Sequence, residues 1–211
     1  IAPYSNALNI LYGTAAPSML DTQTRAIERF NASLSALSQA LDNQSEPEKL
    51  TIEPAVKGQA LPLSVTYTST SAEAAQKQLA QYIQQVDEQT AKELALDLKD
   101  NIKEQIKTLN DSLQNQEKVA QEQKDLRIKQ IAEALKNAEA AKITSPQLQQ
   151  TQDVTQETLF LLGSEGLKSM IDNEASRPLV FSTAYYQTKR NLLDIQNLNV
   201  NPDTIHVYRY V

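Results

Sequence analysis

Few side chains of this sequence have the type and the spacing that catalysis or metal binding requires. His206 is the only histidine, and its apolar neighbours Ile205 and Val207 indicate a strand position on a sheet face rather than a catalytic base. The chain has no cysteine, which excludes thiol catalysis, cysteine-ligated zinc and disulfides. A histidine-centred triad or metal site would depend on that one side chain, so we expect no catalytic residue, no metal and no cofactor.

Carboxylates are plentiful, but their pattern does not indicate an enzyme. Glu165, Asp172 and Glu174 lie close together in the sequence, whereas a glycosidase needs two carboxyl groups that face each other across about 5–10 Å. No cleft is marked, so we expect these side chains on a solvated helix face. The segment Gly-Ser-Glu-Gly at 163–166 lacks the Gly-Lys-Ser/Thr ending of a phosphate-binding loop, and a helix break with a serine cap explains it.

The adjacent pair Tyr185 and Tyr186 is an aromatic feature that suits a sugar ligand. Such pairs more often pack one ring in the core and leave the other at an interface, and that is our expectation here.

The net charge of −6, with no cluster of basic residues, excludes a nucleic-acid partner because phosphate neutralisation needs grouped Lys and Arg.

The longest element is indicated by a stretch without glycine or proline at residues 63–145, most of which is expected to be one helix from residue 71 onward. About 70 residues at about 1.5 Å each give a rod of roughly 100 Å, whereas the mean globular helix has about 11–12 residues. A chain of 211 residues cannot bury such a rod, so the rod must protrude and pack against a partner. This favours an assembly protein over a pocket enzyme.

The apolar residues of the rod change along its length. Thr70 and Glu73 fit a capping box at its start, and residues 144–146, Thr-Ser-Pro, end it. Its first part carries a dense apolar face that we expect to pack on a sheet: Ala72, Ala75, Leu79, Ile83 and Val86. Further on the face narrows to a stripe: Leu94, Leu98, Ile102, Ile106, Leu109 and Leu113. We expect Ile102, Ile106, Leu109 and Leu113 to be packing contacts, either with returning helices of the same chain or between protomers of an oligomer.

Shorter elements flank the rod. Residues 1–4 are expected to be extended or a turn, residues 6–12 a short helix, and Pro17 and Ser18 the start of a second helix. That helix carries an apolar stripe: Leu20, Ile27, Phe30, Leu34, Leu37 and Leu41. Alternation predicts strands at 50–56 and 61–68, joined by a turn at 57–59. After the rod we expect a short helix before Pro178, a helix capped by Ser182 and a final strand at 205–211.

These elements predict an α+β fold. A small mixed-sheet base with helices carries a very long protruding α-helix at about residues 71–143, followed by shorter returning helices. We expect a single domain, 1–211, with a base formed by residues 1–70 and about 179–211 and a helical arm formed by about 71–178.

Long strings of this sequence resemble the Wzz chain-length determinant proteins of enterobacterial O-antigen synthesis. The similarity covers nearly the whole chain and is more specific than any short motif. The segments that carry it are LDNQ at 41–44, EPEKLTIEP at 46–54, LAQYIQQVD at 79–87, VAQEQKDLR at 119–127, QQTQDVT at 149–155, RPLVFS at 177–182 and HVYRYV at 206–211.

The resemblance implies a non-catalytic polysaccharide co-polymerase of the bacterial inner membrane. Proteins of this family have a large periplasmic domain between two transmembrane helices and assemble into a ring-shaped homo-oligomer. They set the modal length of the O-antigen chains of lipopolysaccharide, which the Wzy polymerase builds on undecaprenyl pyrophosphate. The implied partners are therefore copies of the chain, the Wzy polymerase, undecaprenyl-linked O-antigen glycan and the inner membrane.

The chain departs from the family pattern at its ends. It has no membrane segment, its longest apolar run is Leu159–Leu162, and it begins at Ile1 without methionine. We therefore expect it to be the periplasmic domain alone. Two other hypotheses remain open: a helical-hairpin adaptor of an export complex, and a polysaccharide-modifying enzyme.

Overall fold

The computed structural model describes residues 1–44, 48–58, 63–147 and 153–208. It has five α-helices and two strands in these residues: α1 Ala2–Tyr12, α2 Met19–Asp42, β1 Lys49–Pro54, β2 Leu63–Thr68, α3 Ala72–Ala140, α4 Gly163–Ser176 and α5 Thr183–Gln196. Short 3-10 turns occupy Gly13–Ala15, Leu159–Leu162 and Pro202–Thr204. The predicted α+β class with one very long helix is confirmed, since α3 has 69 residues.

The chain divides into two compact units, both of which contain part of α3. The first unit comprises Ile1–Ile106 with Asp194–Val211, and the second comprises Lys107–Leu193.

The core of the first unit is an apolar cluster between α2, the hairpin and the start of α3. Leu34, Leu50 and Val86 are buried at its centre, and Leu79 packs against them from the first part of α3. The predicted packing of the early face of α3 on the sheet is therefore confirmed at Leu79 and Val86, whereas Ala72 at the start of this face is exposed. Partly buried side chains complete the cluster: Phe30, Leu37, Ile52, Val65, Tyr67 and Tyr82.

Helix α2 begins where its sequence predicts. The Ser18 hydroxyl accepts a hydrogen bond from the Asp21 N–H at 3.1 Å and so caps the helix. The predicted apolar stripe is confirmed at Leu34 and Leu41 but wrong at Leu20, which is 71% exposed. Thr22 and Ala26 are buried in this part of the helix instead. The buried face of the first turns of α2 is therefore the one that carries Thr22 and Ala26.

The predicted hairpin is confirmed. Strands β1 and β2 pair antiparallel, with Leu50 opposite Tyr67 and Ile52 opposite Val65. Gly58 lies in the connecting loop with a φ of 88°, which the lack of a Cβ permits. The predicted turn residue Gln59 and the predicted strand residue Leu61 lie outside the described residues.

Two predictions near helix starts are wrong. Residues 2–4, expected to be extended or a turn, form the first turn of α1, because Pro3 occupies a position where its missing N–H costs no hydrogen bond. At α3 the cap is Ser71 rather than Thr70: its hydroxyl accepts the Ala74 N–H at 3.2 Å.

The expected final strand is also wrong over the part of it that is described, Ile205–Tyr208. The sheet of the described residues has two antiparallel strands and is therefore not mixed. The Val207 N–H, which a strand would place in a ladder, instead donates to the Asp87 carboxylate at 2.7 Å. Ile205 is nevertheless fully buried.

The core of the second unit lies between the last turns of α3 and helix α4. Ile131, Ala138, Leu159 and Leu167 are buried there together with Ala134. Ile131 and Ala138 are seven residues apart on α3, so they lie on the same face of the helix. Helix α3 ends at Ala140, three residues before the predicted end, and Lys142 then takes a positive φ of 59°.

Gly163 is required where α4 meets the segment after α3. Its φ of 80° and ψ of 158° belong to a region that is almost restricted to glycine. A Cβ on this residue would lie 2.5 Å from the Thr144 carbonyl oxygen. The predicted serine cap is wrong, because Ser164 lies inside α4 and its N–H donates to the Ile143 carbonyl at 3.0 Å.

Replacing Leu34 by alanine is expected to lower the free energy of unfolding by about 2–5 kcal/mol, because the side chain is fully buried and its removal leaves a cavity. The matched control is Leu20→Ala on the same helix, expected to change stability by less than about 0.5 kcal/mol because Leu20 is exposed. Urea denaturation followed by circular dichroism measures both, and equal losses would contradict the core described here.

Replacing Gly163 by alanine is expected to lower the free energy of unfolding by about 2 kcal/mol or more, from the strained backbone angles and the clash with Thr144. Gly166→Ala is the control, because it lies inside α4 with open space around it and should stabilise the chain by about 0.4–1 kcal/mol. The same denaturation assay applies. If both substitutions change the free energy of unfolding in the same direction, the proposed strain at position 163 is refuted.

Candidate functional site

The predicted stripe on α3 is partly covered by the chain's own side chains. Leu94, Leu98 and Leu113 are buried, whereas Ile102, Ile106 and Leu109 are half-buried. In the first unit, Ile102 lines an open cavity of about 580 Å³. Leu96 and Leu98 lie on the same wall, which α3 forms, and the segment after α5 lines the cavity as well. Ile102 therefore keeps apolar surface that the described residues of its own unit do not fill.

The three carboxylates considered for catalysis all lie on one helix, α4. Glu165 and Asp172 are exposed, and the Glu174 carboxylate lies 3.9 Å from the Arg177 guanidinium. Within the described ranges no group of three or more His, Asp and Glu side chains could hold a metal ion. The solvated helix face expected from the sequence is found at Glu165 and Asp172, whereas Glu174 is half-buried.

His206 takes part in a structural contact. Its Nδ1 lies 3.0 Å from one carboxylate oxygen of Asp87, and the Val207 N–H binds the other oxygen. Asp87 is buried, whereas the His206 side chain is largely exposed. The pair attaches the segment after α5 to α3 in the first unit. Sequence reasoning missed Asp87, although a carboxylate next to Val86 on an apolar helix face is a signal for a buried polar contact.

A second polar contact joins α2 to α3 in the same unit. The Arg29 guanidinium lies 2.6 Å from the Asp97 carboxylate. Tyr4 of α1 is buried near this pair, and its burial, followed by the charge of Asp97, raises the pKa of its hydroxyl. These residues share a cavity of about 370 Å³.

The tyrosine pair divides as expected, with Tyr185 7% exposed and Tyr186 50% exposed. The Phe181 ring stacks on Tyr185 with a centroid distance of 4.0 Å, and Tyr186 meets both rings edge-on. The Tyr185 hydroxyl donates to Glu117 on α3 at 2.8 Å, and this bond, followed by burial, raises the pKa of Tyr185. Sequence reasoning singled out neither Phe181 nor Glu117.

The aromatic cluster borders an open groove of about 570 Å³ in the second unit. One wall is a face of α3, and the other is the chain that leads into α5. The lining residues are Thr108, Asp111, Ser112, Asn115, Gln116, Val119, Ala120 and Gln123 from α3, with Val180, Phe181, Ser182 and Tyr185 from the opposite wall.

The described helices offer no membrane-spanning segment, since none combines enough length with enough apolar character. Helix α3 is long, but a third of its residues are charged.

Over its whole length the chain is similar to chain length determinant proteins. It is 69% identical over 211 residues to the chain length determinant protein of Salmonella typhimurium, and covers 64% of that protein. It is 63% identical to a chain length determinant protein of Escherichia coli, of which it covers 65%. The chain thus spans less than two thirds of the length of these relatives. No protein-family model matches it.

Solved structures show the same fold. The Shigella flexneri lipopolysaccharide O-antigen chain-length regulator WzzBSF is 62% identical, with a TM-score of 0.89, and the match covers all of this chain and 90% of that one. A full-length bacterial polysaccharide co-polymerase is 61% identical, with a TM-score of 0.83 and 69% of that chain covered. A Wzz dodecamer fitted to a cryo-EM map is 65% identical, with a TM-score of 0.74 and 89% covered.

Identity above 60% across nine-tenths of a solved regulator, with the same fold, confirms the resemblance that the strings of sequence indicated. The chain belongs to the family of chain length determinant proteins, the lipopolysaccharide O-antigen chain-length regulators.

Proposed function

We propose that the protein containing this chain sets the length of the O-antigen chains of lipopolysaccharide as a non-catalytic polysaccharide co-polymerase. The observation that carries the proposal is the full-length match to O-antigen chain-length regulators, which includes the long helix α3. This chain is the periplasmic domain, held at the inner membrane by flanking segments. It acts with the Wzy polymerase on glycan carried by undecaprenyl pyrophosphate.

A regulatory rather than chemical role agrees with the surroundings of the reactive side chains. The Asp87 carboxylate binds the His206 imidazole and the Val207 N–H, and Glu174 lies near Arg177. The relatives are a chain length determinant protein and an O-antigen chain-length regulator, which supports neither the export adaptor nor the enzyme.

The protein acts as a ring-shaped homo-oligomer, which the dodecamer formed by a relative supports. Ile102, Ile106 and Leu109 are half-buried on α3, and a neighbouring protomer that covered them would remove apolar surface from water. Leu113, the fourth residue of the predicted set, is already buried within its own chain and would contribute least.

Expression of the full-length protein in a strain without a chain-length determinant is expected to produce a modal band in the lipopolysaccharide ladder. Without regulation, chain lengths should fall off steadily with no preferred value. A silver-stained gel measures the distribution, with the empty vector as the control. A ladder identical to that of the vector would refute the proposed function.

Replacing Ile106 by glutamate in the full-length protein is expected to change the number of protomers or shift the modal band. A neighbouring protomer that covered the stripe would have to bury an unpaired carboxylate, at a cost of several kcal/mol. The control is Asn110→Glu, which adds the same charge at an exposed position of α3. Native mass spectrometry and the lipopolysaccharide ladder measure the outcome.

If Ile106→Glu leaves both the oligomer and the ladder unchanged, the stripe is not a contact between protomers. If Asn110→Glu has an equal effect, charge rather than position is responsible, and the assignment also fails.

A further inference from the structure

The groove of the second unit differs from the rest of α3 in its charge. A third of the residues of α3 are charged, yet Asp111 is the only charged side chain among the eight that line the groove from this helix. Its carboxylate lies 3.5 Å from the Lys107 ammonium, which offsets its charge. The groove therefore presents a nearly neutral surface on a strongly charged rod.

The neutral wall consists of hydrogen-bonding groups. Asn115 and Gln123 are exposed, and each amide offers two donor hydrogens and an acceptor oxygen. Gln116 donates its amide hydrogen to the Ser112 hydroxyl at 3.2 Å, which orients its side chain. Thr108 adds a further hydroxyl. These groups can both donate to and accept from a ligand rich in hydroxyl groups.

The opposite wall is aromatic and held in place. Phe181 is half-buried and stacks on Tyr185, whose hydroxyl is bound to Glu117. Because this hydrogen bond and the edge-on Tyr186 restrain the stack, little conformational entropy remains to be lost when a ligand binds.

Exposed apolar side chains mark both sides of the groove. Val119 on α3 is 51% exposed, and Val180 opposite it is 69% exposed. The volume of about 570 Å³ lies within the range of about 300–1,000 Å³ that is typical of small-molecule sites.

We propose that this groove binds a short neutral segment of the polysaccharide chain. Sugar rings combine apolar C–H faces, which suit Phe181 and the two valines, with hydroxyl groups, which suit the amides of Asn115 and Gln123. An anionic polymer fits less well because Asp111 lies in the groove and Glu117 lies beside it. The inference rests on the proposed function and locates a glycan contact for it.

The test uses the 211-residue chain with ¹³C-labelled valine methyl groups. The ligand is a neutral O polysaccharide released from lipopolysaccharide by mild acid. We expect the methyl resonances of Val119 and Val180 to shift in a saturable way, while those of Val56 and Val86 in the first unit do not. Polygalacturonate, which is a polyanion, should give weaker shifts at the same sites.

Asn115→Ala is expected to weaken binding about five- to tenfold, because it removes hydrogen bonds without removing buried packing. The matched control is Asn110→Ala, the same change at an exposed position of α3 that is not part of the groove. The control should bind like the original chain.

Three results would overturn the proposal: no shift of Val119 and Val180, equal effects of the two asparagine variants, or shifts that depend on protein concentration without saccharide. The last would assign the groove to a second copy of the chain. Failure here is distinguishable from failure of the proposed function, because the lipopolysaccharide ladder tests that function without reference to this groove.

Discussion

The narrow apolar face of α3 is the constraint on which the rest of the structure depends. A 69-residue helix has far more surface than one small core can cover, and a third of the residues of this one are charged. Apolar side chains from the other elements therefore gather on it at separate places. Leu34 and Leu50 join Leu79 and Val86 in the first unit, and Leu159 and Leu167 join Ile131 and Ala138 in the second.

Polar contacts along α3 specify where other segments attach. Asp87 is buried and receives the Val207 N–H and His206, so both of its oxygens have partners. The Lys124 ammonium donates to the carbonyl oxygens of Ala175 and Arg177 at 2.9 and 2.6 Å, and so satisfies acceptors that the end of α4 leaves free. Such bonds carry direction as well as energy, which an apolar stripe alone does not supply.

The accessible surfaces of α3 are of two kinds. Asp87 and His206 serve as structural partners of each other, whereas half-buried isoleucines and a neutral groove remain accessible on α3. Apolar surface suits another protomer, whereas amides and hydroxyls beside a stacked aromatic pair suit a glycan. The proposed function and the proposed glycan contact need surfaces of both kinds, one for a neighbouring protomer and one for the polysaccharide.

The sequence alone determined the elements whose causes are local. The lack of glycine and proline from 63 to 145 predicts α3, alternation predicts the hairpin, and Ser18 and Ser182 cap the helices that they precede. Tertiary structure decided what depends on distant partners. Leu20 matches the stripe of α2 yet is exposed, and Ile205–Tyr208 do not pair as a strand because Asp87, more than a hundred residues earlier, takes the Val207 N–H. The groove was not predictable for the same reason: hydrophobic periodicity describes one element at a time, whereas Asn115 and Phe181 meet only because the chain returns to α3.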